Sequence, residues 1–190
     1  MANPLVFIHV PKTGGMSISR FCRQTKSSGL ELYKGKRPHA TAIEIRETIG
    51  AELFDSATKF AVVRDPMDRY RSACIQGNVR PNSKIAKRLA TLSASSVHPR
   101  THKESRLGRQ SDMLCIDGEL MVDKIFKFEE DLPENVLAWL IEQGYNPAEG
   151  AEFPHFHRRN ASRKQEPLLA EREEWVREFY APDYEMFGYE

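Results

Sequence analysis

Apolar residues along this chain recur in two rhythms. Short unbroken runs at 5–10, 59–63 and 124–128 are bounded by turn residues or charges, which predicts buried strands. Between them the apolar positions repeat at helical spacing. Ile18, Phe21 and Cys22 mark a helix after the first run. Ala42, Ile45 and Ile49 share one face of a segment over 38–49, with Pro38 at its start and Gly50 just past its end. A helix over 66–76 follows the second run. Over 131–143, Asp131 and Glu134 have capping-box spacing, then come Val136, Leu137, Leu140 and Ile141, with Gly144 as a stop. Leu168, Trp175, Val176 and Phe179 mark a last helix over 167–179. Strands alternating with helices predict an α/β fold whose parallel sheet is covered on both faces, a three-layer arrangement in one domain over 1–190. There is no internal repeat and no low-complexity tract.

The first strand run ends in Pro11-Lys12-Thr13-Gly14-Gly15-Met16-Ser17. Glycines at the turn let the backbone bend and approach a ligand, and the first N–H groups of the next helix can hold an anion. Lys12 adds a positive charge; Thr13 and Ser17 add hydroxyls. The pattern is not a Walker A loop, in which Lys follows the glycines. Taken alone it is also compatible with a glycine turn carrying a solvated lysine.

The second strand run leads into Arg64-Asp65-Pro66-Met67-Asp68-Arg69-Tyr70-Arg71-Ser72. Pro66 suits the first turn of a helix, where its missing N–H costs nothing. Asp65, Arg69 and Ser72 are spaced by four and three and so share a helix face. Arg64 and Ser72 can grip one phosphate from two sides. Alone, the segment reads better as an ordinary helix start with exposed ion pairs.

Together the two segments resemble the sulfotransferase family that uses 3′-phosphoadenosine 5′-phosphosulfate (PAPS). Residues 11–17 are similar to its 5′-phosphosulfate loop, and Arg64-Asp65-Pro66 with Arg69 and Ser72 to its 3′-phosphate motif, about fifty residues later. The branch containing carbohydrate and membrane-associated sulfotransferases is nearest, with His9-Val-Pro-Lys-Thr-Gly-Gly15 a typical opening. The segments 122–129 and 180–189 also resemble that branch. Met16 stands where Thr is common, which removes a hydroxyl but keeps the backbone N–H. The resemblance implies a P-loop NTPase-like sulfotransferase fold and PAPS as co-substrate, with 3′,5′-ADP as product and no metal. It implies donor binding by Lys12, Thr13, Gly14, Gly15, Met16, Ser17, Arg64 and Ser72. Asn160-Ala-Ser162 and the basic residues after it resemble the family's nucleotide-covering loop, so Arg163 or Lys164 is expected near the 3′-phosphate.

Composition narrows the context. At 190 residues the chain can bury about two-thirds of its unfolded surface. A net charge of +1 argues against a general polyanion-binding role, nucleic acid included. Cys22, Cys74 and Cys115 are odd in number and widely spaced, which indicates neither a disulfide framework nor a zinc site. No apolar run approaches the roughly twenty residues needed to span a bilayer, and the first residues lack a basic-then-apolar signal. The expectation is a cytoplasmic enzyme. Oligomeric state is not encoded in any pattern found.

Sulfuryl transfer needs a cation for the leaving phosphate and a base for the acceptor hydroxyl. Lys12 fits the first role. His39, in Lys36-Arg-Pro-His-Ala-Thr-Ala42 at the start of the 38–49 helix, fits the second, and relatives in that branch use a histidine similarly. Glu44, one turn further, is the next base to consider. His9 reads as a buried, hydrogen-bonded strand histidine. His155 and His157 lack partners at ligand spacing, so no metal is expected. Residues 93–112, rich in Ser, His, Arg and Lys, read as a long loop, either an acceptor-recognition segment or a solvated flap. The acceptor itself is expected to offer a hydroxyl or amine, with a carbohydrate or small metabolite favoured. Two other classes fit the loop: an atypical P-loop nucleotide kinase or hydrolase, for which Asp65 is the placed magnesium-binding candidate, and a non-catalytic nucleotide-binding protein.

Overall fold

The computed structural model describes residues 4–24, 32–33, 39–94, 106–130, 132–144 and 167–190. Four parallel strands form the central sheet in the order β2-β1-β3-β6, with β1 Leu5–Ile8, β2 Leu32–Tyr33, β3 Thr58–Val63 and β6 Lys124–Lys127. A small antiparallel hairpin, β4 Cys115–Ile116 and β5 Glu119–Leu120, stands beside it. Asp117 and Gly118, both at positive φ, make its two-residue turn. The helices are α1 Gly15–Gln24, α2 Ala42–Ile49, α3 Ala51–Ser56, α4 Pro66–Gly77, α5 Lys84–Ala94, α6 Gln110–Leu114, α7 Leu132–Glu142, α8 Ala170–Phe179 and α9 Ala181–Phe187.

Alternation along the two central strands builds the layers. Leu5, Phe7, Phe60 and Val62 face one side and pack with Ile18 and Phe21 of α1 and Leu132, Val136 and Leu140 of α7. Val6, Ile8, Ala61 and Val63 face the other, against Ala42, Ile45, Phe54, Leu114 and Phe187. Register pairs Phe7 with Phe60, whose rings stack 4.9 Å apart. A third cluster, with Tyr70, Cys74, Ala86, Ala90, Val176 and Tyr180, joins α4, α5 and α8 beyond the sheet. The expected three-layer α/β arrangement is therefore present. Among the described residues no helix is long and apolar enough to cross a membrane.

Three boundaries differ from the sequence reading. The helix expected from residue 38 begins at Ala42, because Thr41 and Glu44 close a reciprocal capping box. The helix expected from 167 begins at Ala170, because Asn82 holds the preceding stretch, donating to the Pro167 carbonyl and accepting from the Leu169 N–H. The stretch 93–112 is not one loop: α5 reaches Ala94, and Leu107, Gly108, Gln110 and Ser111 are buried. Asp131, one half of an expected capping box, lies outside the described residues.

Candidate active site

β1 has β2 on one side and β3 on the other, so the chain departs in opposite directions from the ends of two adjacent parallel strands. That crevice at the carboxyl ends of β1 and β3 is where open α/β sheets receive ligands. The loop 9–14 and residues 64–65 both lie there.

The β1–α1 loop is tightly built. Lys12 and Gly14 take positive φ, +72° and +78°. For Lys12 this is an uncommon conformation that the surroundings must enforce. Thr13 is fully buried and its hydroxyl donates to the Val10 carbonyl at 2.9 Å, so its side-chain proton serves the loop rather than a ligand. The Ser17 N–H bonds the Gly14 carbonyl at 2.9 Å, and Ser17 is buried. Met16 is exposed. Gly15 also answers a steric need of the loop. Its φ is ordinary, and a Cβ there would stand 2.2 Å from Cδ2 of His9. Gly15 makes room for an imidazole.

His9 links that loop to His39. The His9 ring stacks on Phe7 and meets His39 edge-on, with centroids 4.5 Å apart. Its main chain contributes as well, since His39 Nδ1 lies 3.2 Å from the His9 carbonyl oxygen. A carbonyl can only accept, so Nδ1 carries the proton and the neutral ring keeps its lone pair on Nε2. His39 stands two residues before the N-cap of α2, outside the helix, where its ring can fold back over β1. Glu44, the alternative base, has its carboxylate in the capping box.

Arg64 joins the second segment to the first. Its guanidinium donates to the Lys12 carbonyl at 3.4 Å, lies over the Phe128 ring at 4.5 Å and is 3.8 Å from Asp68. Among the described residues its Nε is buried without a hydrogen-bond partner. Gln110, fully buried, brackets the Arg64 backbone, accepting from its N–H and donating to its carbonyl at 2.9 and 2.8 Å. Asp65 caps α4 through Oδ1 to the Asp68 N–H, and burial raises its pKa. Ser72 is half-buried two turns on, and no hydrogen bond among the described residues links it to Arg64. Arg69 shares its helix face by spacing but is fully buried; it holds the Arg106 and Gly108 carbonyls.

Three cations converge on the loop. Burial first, then the guanidinium groups of Arg64 and Arg106, bring the Lys12 ammonium down from 10.5 to about 8. Among the described residues neither Lys12 nor Arg106 makes an ion pair. α1 begins beside them with no acidic residue in its first turn. The arrangement suits a ligand with several negative charges. Sequence reasoning left Arg106 and Gln110 within a polar loop; nothing local distinguishes them. Arg163, Lys164, His155 and His157 lie outside the described residues. Among those described, no three His, Cys, Asp or Glu side chains gather as metal ligands.

Sequence comparison matches residues 2–190 to the model of the sulfotransferase family. The chain belongs to that family. Its members transfer sulfuryl groups to acceptor substrates, so the protein is a family transferase by descent. Neither the curated proteins nor the solved structures gave a match.

Proposed function

We propose that this sulfotransferase moves the sulfuryl group of PAPS to a hydroxyl or amine of an acceptor, a carbohydrate or small metabolite, without a metal. One observation carries the reading: Lys12 and Arg64 meet at the crevice between β1 and β3, with His39 oriented over the same strand end by the His9 carbonyl. In this reading the acceptor oxygen attacks sulfur as the bond from sulfur to the 5′-phosphate oxygen breaks. The bonding pair leaves with 3′,5′-ADP, and the acceptor proton passes to His39 Nε2. Lys12, mainly protonated at neutral pH with a pKa of about 8, neutralises the leaving phosphate. The backbone at 14–17 holds the phosphosulfate, and Arg64, with Ser72, Arg163 and Lys164, the 3′-phosphate. An atypical kinase is less well supported, because the Asp65 carboxylate already caps α4.

The test is transfer of label from ³⁵S-PAPS to a panel of sugars and small alcohols in the presence of EDTA. Wild-type protein is expected to label at least one acceptor. His39→Ala is expected to lose ~10²–10⁴-fold in turnover while keeping its affinity for 3′,5′-ADP. Transfer to an ordinary alcohol at the wild-type rate by a folded His39→Ala would remove the histidine from the mechanism.

A further inference from the structure

We propose that the side chain of His9 is a positioning residue for His39: its ring sets the plane of the His39 imidazole and ties it, through Gly15, to the β1–α1 loop. This rests on the reading above, in which His39 is the base. The hydrogen bond from Nδ1 to the His9 carbonyl fixes one atom of the His39 ring, not its plane. The His9 ring supplies a second support through an edge-on contact, with centroids 4.5 Å apart and 65° between the planes. His9 is steadied in turn by Phe7, two residues earlier, on which its ring stacks at 5.6 Å. Phe7 stacks on Phe60 in the core on the α1 side of the sheet. Ala40, Ala42 and Ile45, which follow His39, pack in the core on the other side. The two imidazoles therefore meet where the two layers come together, at the carboxyl end of β1.

Gly15 joins that pair to the anion loop. It opens α1 with an ordinary φ, so alanine would meet no backbone strain there. Space is what excludes it, because a Cβ would overlap Cδ2 and Nε2 of the His9 ring. The imidazole fills the gap between the first turn of α1, which holds the phosphosulfate in the proposed reaction, and the His39 ring. Its width sets the separation of donor from base. That separation decides how His39 Nε2 faces the acceptor hydroxyl, and a misplacement of about 1 Å can cost about a hundredfold in rate. Main chain and side chain of His9 thus act together on one ring.

The experiment compares the full chain as wild type, His9→Ala, Gly15→Ala and the double variant, each checked for folding by thermal melts. Nitrogen-15 NMR reads the His39 tautomer at a pH where the imidazole is neutral. Calorimetry reads 3′,5′-ADP affinity, and ³⁵S-PAPS transfer reads turnover at saturating donor. Wild type is expected to carry the His39 proton on Nδ1. His9→Ala should move His39 towards the tautomer mixture of a free imidazole. It should lower turnover on the alcohol labelled in the panel above by roughly 10–100-fold, with 3′,5′-ADP affinity changed by less than about threefold. The loss on 4-nitrophenol, which ionises with little help, should be smaller. Gly15→Ala displaces the ring without removing it, so it should disturb the same His39 signals, and it decides the matter if His9→Ala does not fold. In the double variant the methyl has room and should add no further change to those signals. Unchanged His39 signals in a folded single variant overturn the proposal, as does a further disturbance in the double variant. A loss of turnover in His9→Ala matched by an equal loss of 3′,5′-ADP affinity, the mark of a merely structural residue, also overturns it. Should wild type label no acceptor, the proposed transfer falls. The His39 signals then decide the positioning alone: a change in the single variants supports it, and none overturns it.

Discussion

Lys12 is charged in a place that resists its charge. Burial and two neighbouring guanidinium groups favour the neutral amine in the folded chain, while the unfolded chain keeps the ordinary value of 10.5. Between about pH 8 and 10.5 the unfolded state therefore binds more protons, so ligand-free stability attributable to this group rises with pH across that window. Lys12→Met should remove that rise and stabilise the ligand-free protein at pH 7 by about 1–2 kcal/mol, after allowing for solvent screening. Urea melts of both proteins from pH 7 to 10 measure it; parallel curves, or a less stable variant at pH 7, would contradict it. The same substitution should lower turnover by more than donor affinity, because the charge matters most as the leaving phosphate forms. A lysine before a glycine pair was legible in the sequence. Its positive φ and its two arginine neighbours were not, since these come from packing.

Among the elements, α9 does work that its seven residues do not advertise. Its Asp183 is fully buried and accepts from the N–H groups of Gln110 and Ser111 and from the Ser111 hydroxyl, at 2.9, 2.8 and 2.7 Å. One carboxylate thereby fixes the start of α6 and, through Gln110, the strand end that presents Arg64. Asp183→Ala leaves three donors unpaired and should cost about 2–4 kcal/mol in denaturant unfolding, with a loss of 3′,5′-ADP affinity even where the protein stays folded. A cost below about 0.5 kcal/mol with unchanged affinity would show that α9 does not support the site. Sequence periodicity found α1, α2, α4, α7 and α8, each with a clear apolar stripe. It missed β2, α3, α5, α6, α9 and the β4–β5 hairpin. For the hairpin a signal existed in Asp117-Gly118, the pair favoured in two-residue turns. Of the missed helices, α3, α6 and α9 have too few turns to show a period, whereas α5 does show one, with Ile85, Leu89 and Leu92 at helical spacing.

On the scale of the whole molecule, a nearly neutral chain concentrates positive charge at one sheet crevice. The sheet was legible because its central strands are continuous apolar runs, and the two motifs were legible because each is local in sequence. The support for the site was not: Arg64 and Gln110 are 46 residues apart, Gln110 and Asp183 are 73, and only folding brings them together. The central claim is that this crevice holds one nucleotide by two anionic groups. Calorimetric titration of the wild-type protein with 3′,5′-ADP and with 5′-AMP tests it most directly. A second charge-assisted grip is worth roughly 1.5–3 kcal/mol, so 3′,5′-ADP is predicted to bind about one to two powers of ten more tightly. Equal affinities for the two nucleotides would contradict the account.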